Sequence, residues 1–276
     1  MNYILTVAVK ELKDGLRNRW VLSITLIFIL LSIGLAYFGA VASGQVGFTP
    51  LSTMIVSLAS LATFIIPIIA LMLAYDTIVG ESEQGTLLLL LTYPLSRSQL
   101  LLGKFLGKTL IMAISTLLGF SASALLIGFF AEQIDITELI TAFSLFIISS
   151  TLLGAVFIAL AILISVLVNE KSKAAGLALT IWFLFVLVYD VALLGILILT
   201  KGAVGANYFP YLLLLNPTDV FRLINLSGFE AAQVQSGLMG IANGDLLSPA
   251  FLFIALIIWV LIPLLMALGL FRRRSV

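Results

Sequence analysis

The length of its uncharged runs constrains this chain more than any other feature. Trp20–Ala42, Leu51–Tyr75, Thr109–Ala131, Leu139–Val168 and Ala250–Phe271 contain no Asp, Glu, Lys or Arg. A further run, Ala174–Thr200, is broken only by Asp190. About 20 apolar residues in helical form cross a hydrocarbon core of roughly 30 Å. Backbone polar groups in lipid must be satisfied within the segment or in a closed barrel. A barrel needs short alternating strands, and these runs are continuous. The predicted fold class is therefore an all-α integral membrane protein with six transmembrane helices. They fall near 20–42, 51–75, 105–131, 139–168, 174–200 and 249–271, in a single transmembrane domain, 1–276.

Composition agrees. Hydrophobic residues make up 62% of the 276 and charged residues 10%. Ordinary soluble domains sit near roughly 45–50% and 25%. A soluble core could not absorb so much apolar sequence, and disorder needs the opposite balance. The chain has no His and no Cys. That excludes Ser–His and Cys nucleophiles, His-ligated metals and disulfide scaffolds. No catalytic residue, no metal site and no cofactor on this chain are expected. Pro67 and Pro263 fall inside spans two and six, where proline can kink a helix.

Lys and Arg set the orientation. Lys10, Lys13, Arg17 and Arg19 precede the first run. Arg97, Lys104 and Lys108 follow the second, Lys171 and Lys173 follow the fourth, and Arg272, Arg273 and Arg274 follow the sixth. These alternate segments hold 12 of the 14 basic residues. The positive-inside rule places them, and both termini, in the cytoplasm. Ala40-Val41-Ala42 resembles a signal-peptidase site, but the apolar stretch before it exceeds the usual length of a signal core. The first span is expected to remain as an anchor.

The segments between spans differ in character. In residues 1–19, Leu5, Val9, Leu12 and Leu16 recur on one helical face, with Lys10, Lys13 and Arg17 on another. Two readings fit: a helix lying in the membrane interface, or a lever touching a cytoplasmic partner. Residues 76–104 carry Glu81, Glu83 and Gly85, then five leucines, Leu87–Leu91, then Tyr93-Pro94. Five leucines are too few to span and must bury in the interface, in the protein or in a partner. Carboxylates just before them suit the N-terminus of a leucine helix. Gly103 to Thr109 resembles a phosphate-binding loop, but the glycine spacing is one residue short and no strand precedes it. Gly103 and Gly107 read instead as a close-packing Gly-xxx-Gly pair.

Two polar features stand on the other side. Asp190 is a lone acid in an apolar run, with no basic partner beside it in sequence. It either ties helices together or lines a pathway, and a lone acid makes a poor relay. It is also the only acid within a span, so an aspartyl dyad is not available within one chain. Segment 201–248 is too long for a turn and is expected to re-enter the outer face or form a lid. Within it, Asn216-Pro217 favours a turn, and Asp219 and Arg222 are spaced to pair on a short helix.

The block Glu81-Ser82-Glu83-Gln84-Gly85-Thr86-Leu87, with Tyr93-Pro94-Leu95-Ser96-Arg97 and Gly103-Lys104, resembles the six-span permeases of the ABC-2 exporter type. Lys10-Glu11-Leu12 to Arg19-Trp20, and Asn216-Pro217-Thr218-Asp219-Val220-Phe221-Arg222, are similar to the branch serving copper-centre maturation of nitrous-oxide reductase. The resemblance covers the whole chain. It implies a dimer of the type V exporter kind in the bacterial inner membrane, with two cytoplasmic ATPase subunits holding ATP and Mg. It implies a periplasmic β-helical accessory protein and no nucleic acid partner. It also implies that residues 1–19 form a connecting helix. The coupling helix would present Glu81, Glu83, Gly85, Thr86, Tyr93 and Arg97 to the ATPase. Asn216, Pro217, Asp219 and Arg222 would act as an extracytoplasmic gate or partner contact, and Asp190 as an intramembrane polar candidate. Copper(I) favours thiolate, thioether or imidazole ligands. The methionines beyond Met1, at 54, 72, 112, 239 and 266, are scattered, so a copper pathway on this chain is not expected.

Overall fold

The computed structural model describes residues 3–42, 51–130, 135–200, 209–227 and 248–274. Among these there is no strand. Helix α1 (Tyr3–Arg17) is amphipathic and lies at one end of the bundle. A bend of 65° separates it from α2 (Trp20–Ala42), and Arg19 at the bend has a left-handed backbone, φ 60°. Helix α3 is Leu51–Ala74, and two short helices follow it, α4 (Val79–Glu83) and α5 (Thr86–Leu91). Then come α6 (Arg97–Phe130) and α7 (Ile136–Leu167). Helix α8 (Lys171–Phe183) runs through a π-helical stretch, Leu184–Val188, into α9 (Tyr189–Leu199). Helices α10 (Phe209–Leu214) and α11 (Pro217–Ser227) are short, and α12 is Pro249–Arg273.

Among the described residues, five helical segments are long and apolar enough to cross a membrane, or six when the bent α1–α2 pair is taken as one span. Helix α6 starts at Arg97, about three turns before the apolar run begins at Thr109, because Arg97, Lys104 and Lys108 all find partners at its first turns. Pro67 and Pro263 sit inside helices that continue past them. Of segment 201–248, residues 201–208 and 228–247 lie outside the described residues.

Helix α7 is the most enclosed span and the α8–α9 span the least. Small residues bring the backbones together. A Cβ on Gly103 would meet the Val7 side chain at 2.5 Å, and one on Gly107 would meet Glu11 at 2.4 Å. The Gly-xxx-Gly pair thus seats α1 against α6. About three turns further on, Gly119 admits Phe28, whose ring stacks on Phe120 at 4.8 Å. Phe120 meets Phe146 edge-on at 4.8 Å, and Phe146 meets Phe221 at 5.9 Å. This row of rings runs from α2 through α6 and α7 to α11. On α1, the face that packs inward is Ala8, Glu11 and Gly15. The apolar stripe of Leu5, Val9 and Leu16 points away from the rest of the chain. An exposed apolar face on a basic amphipathic helix suits both a membrane interface and a partner groove.

Candidate functional site

Two polar clusters stand out at opposite ends of the bundle. The first is at the end that carries α1, α4, α5 and the last turn of α12. Its centre is Lys104, nearly buried in the first turns of α6. Its Nζ donates to Glu81 Oε1 at 2.6 Å and to Glu11 Oε1 at 2.9 Å. Lys108, one turn on, donates to the Leu73 carbonyl at 2.8 Å and lies 3.9 Å from Glu11 Oε2. Burial alone would raise the Glu11 pKa, but the adjacent Lys104 and Lys108 outweigh it and hold the carboxyl below its ordinary value. A cavity of about 500 Å³ opens here, lined by Glu11, Asp76, Glu81, Lys104 and Lys108 among others.

Helix α4 is held from every side. The Ile78 and Val79 amides donate to Ser165 Oγ of α7 at 2.9 and 3.0 Å, so a side chain from another helix satisfies the orphan donors of its N-terminus. Glu83 Oε1 accepts from the Lys171 amide at 2.6 Å and covers the positive start of α8. Lys171 Nζ pairs with Asp76 at 2.8 Å. Glu81 ties α4 to α6 and, through Lys104, to α1. The carboxylates therefore do not lead the leucine helix. They occupy α4, and Gly85 in the left-handed region, φ 71°, separates them from α5. Two short helices meet at a glycine because no L side chain adopts that turn cheaply.

The leucine run then divides. Leu87 is buried, whereas Leu88 and Leu89 are about 60% exposed, as is Tyr93. Thr86 Oγ1 donates to the Glu81 carbonyl at 3.2 Å. Arg97 turns inward. Its Nη1 donates to the Phe271 carbonyl at 3.1 Å and to the Arg274 carbonyl, capping the end of α12. Arg274 in turn donates to the Val166 and Val168 carbonyls at the end of α7, at 2.8 and 3.1 Å. Glu81, Glu83, Thr86 and Arg97 are thus engaged within the chain, and Tyr93, Leu88 and Leu89 are presented outward.

The second cluster joins α11 to the π-helical stretch. A widened turn leaves carbonyls outside the regular i→i−4 ladder. The Phe185 carbonyl accepts from Asn216 Nδ2 at 2.9 Å and from Thr218 Oγ1 at 3.4 Å. Asn216 Nδ2 also donates to Asp219 Oδ2 at 3.0 Å, and its Oδ1 accepts from the Thr218 amide. Asn216 thereby caps α11, while Pro217 occupies the first helical position, where its missing N–H costs nothing. Arg222 donates to Asp219 Oδ1 and to Asp190 Oδ2, both at 3.2 Å. Tyr189 O–H donates to the Leu212 carbonyl at 2.6 Å, and Trp259 Nε1 to the Leu214 carbonyl at 3.0 Å.

Asp190 is therefore not alone. The fold brings it a basic partner, Arg222, from 32 residues away, and a second acid, Asp219. Helix α11 is far too short to span, so sequence spacing inside one run could not disclose either neighbour. Burial and the Asp190 carboxylate push the Asp219 carboxyl up to about 7, against Arg222 and Asn216, which pull it down.

With the α1–α6 seating, the α4–α5 segment and the α11 junction in place, the match across the chain is decisive: residues 5–276 fit the ABC-2 family transporter protein model. The chain belongs to the ABC-2 transporter family. Two relatives of this ABC-2 permease carry the permease name. It is 54% identical over 274 residues, 99% of each chain, to the "Probable ABC transporter permease protein NosY" of Stutzerimonas stutzeri. It is 55% identical over 276 residues, the whole of each chain, to the protein of the same name from Pseudomonas aeruginosa. Among this permease's polar residues, Glu11, Lys104, Lys108, Ser165, Lys171 and Arg274 escaped the sequence reading as site residues. Visible signals existed for Ser165, a hydroxyl in a run of aliphatic residues, and for Glu11 and Lys104, which lie in the blocks that carry the family resemblance.

Proposed function

We propose that this permease is the membrane subunit of an ATP-driven complex and works by transmitting movement. The observation that carries the reading is the α4–α5 segment. It exposes Leu88, Leu89 and Tyr93 at its tip, while its base is bonded to α1, α6, α7 and α8 through Glu81, Ser165 and Glu83. A force on the tip reaches four helices at once. The occupant of the tip is a groove on a separate cytoplasmic ATPase, which holds the ATP and Mg; an exposed apolar helix face suits such a groove. The basic end is then the cytoplasmic end, with both termini there.

Two copies of the chain and two ATPases form the complex in the bacterial inner membrane, with a periplasmic β-helical protein on the far side. Its service is the maturation of the copper centres of nitrous-oxide reductase. The methionines fit a mechanical role: Met54 and Met112 are buried in separate places, with Met112 packed on Gly154, and Met266 faces outward. The chain itself carries no cofactor.

The test is co-purification of the ATPase with the tagged permease, wild type against Leu88→Asp with Leu89→Asp. These side chains are outward, so the variant keeps its fold and is expected to lose the ATPase. Undiminished ATPase recovery rejects the docking assignment. Glu81→Lys is a poorer probe, because it places a second cation against Lys104.

A further inference from the structure

Asp190, Asp219 and Arg222 set two carboxylates against one guanidinium. With both carboxylates ionised the cluster carries one excess negative charge. Among the described residues, the elements packed on α11 supply no other counter-charge. Helix α3 has no charged residue and α10 has only Tyr211 as a titratable group. The one charge on α7 is Glu138 in its first turn, and Arg272 and Arg273 of α12 are at the opposite end of the bundle. Tyr189 spends its O–H on the Leu212 carbonyl. The Asp219 side chain is 3% exposed, whereas those of Asp190 and Arg222 are 35% and 31% exposed. The inner acid is thus shut in and the outer pair is open to whatever lies beyond the α8–α9 span.

Two close carboxylates in a poorly solvated place resist sharing one cation with no proton between them. One added proton brings the cluster to neutrality. We propose that the Asp190–Asp219–Arg222 cluster is a proton-binding site, taking one proton at a carboxylate and so setting how firmly α11 grips the widened turn at Phe185. The proton comes from water and returns to water. One carboxyl O–H bond forms and no other bond changes. Ionised Asp219 accepts from both Asn216 and Arg222; protonated, it keeps a weaker hold on each, and the guanidinium is left to Asp190. Burial of Asp219, described above, acts in the same direction. This inference goes beyond the ATP-driven reading and stands whether or not an ATPase docks on α5.

The experiment is infrared titration of the full chain in lipid nanodiscs, following the protonated-carboxyl stretch from about pH 8.5 down to about pH 5.5. Ordinary Asp and Glu side chains stay ionised over that range, since they titrate near 4. The expected result is a band of about one carboxyl per chain that grows as pH falls. Asp219→Asn and Asp190→Asn each leave one acid with its own cation, and each is expected to abolish the band. Arg222→Gln is expected to shift its appearance to higher pH. No titrating band in the wild type overturns the proposal, and so does a band that survives in both Asp variants. The wild-type titration decides even where a variant fails to fold.

Discussion

Lys104 Nζ lies 2.6 Å from Glu81 Oε1, and this contact fixes the short helix α4 to the start of the third long helix. The same ammonium holds Glu11 at 2.9 Å, so one buried cation joins three separate stretches of chain. Burying an ion costs several kcal/mol unless partners replace its water. Here the second carboxylate supplies what a single pair would lack.

Lys104→Met is expected to cost about 3–5 kcal/mol, because it leaves Glu81 without its cation and Glu11 with only the more distant Lys108. Glu81→Gln is milder, since Glu11 keeps Lys104 paired. Thermal unfolding in detergent, followed by tryptophan fluorescence, ranks the two. Equal midpoints would contradict the shared-cation arrangement.

The pH dependence of this cluster has a definite sign. Glu11 is held below its ordinary value of 4.5. A carboxyl with a depressed folded pKa contributes stability that is present above its unfolded value and lost as pH falls through the folded one. Wild type is therefore expected to lose more stability than Glu11→Gln as pH drops below 4.5. Parallel melting curves for the two across that range would count against the ion pairing.

Gly107→Ala is expected to push α1 off α6. Its Cβ would sit 2.4 Å from the Glu11 Cβ and 2.8 Å from the Ala8 carbonyl, a backbone atom that cannot swing away. Overpacking of this kind costs about 1–3 kcal/mol. Gly176→Ala meets nothing within 4 Å and is expected to be neutral or slightly stabilising, since alanine favours a helix. A pair of melting curves separates them.

Asn216→Leu removes the amide that reaches both Phe185 and Asp219 and leaves a carbonyl of the widened turn short of a donor. The expected cost is about 1–3 kcal/mol for the unsatisfied group. Hydrogen exchange is expected to rise in α11 and around residues 184–190, while α1 and α4 stay protected. A uniform rise throughout the chain would argue against a local junction.

Leu87→Ala is expected to cost about 2–5 kcal/mol, and Leu88→Ala almost nothing to the fold. The residues are neighbours, but Leu87 is buried and Leu88 is exposed. Denaturation midpoints check the contrast, and equal values would mean that α5 does not sit as described.

The sequence alone determined the solvent and the class. Long uncharged runs can bury their backbone only as helices in lipid, so the all-helical class and the long apolar helices were legible from composition and run length. The Gly103–Gly107 contact was legible too, because a small-residue spacing on one helix face has few other uses. Tertiary structure decided everything that depends on charge meeting charge across distance. Nothing in the spacing of Glu11, Glu81 and Lys104 shows that they share one ammonium. Nor does it show that Arg222 folds back on Asp190, or that Gly85 breaks the leucine segment from its carboxylates. Helix periodicity reports only which residues share a face. A buried charge chooses its partner by proximity in a low-dielectric interior, and that proximity exists only once the helices have packed.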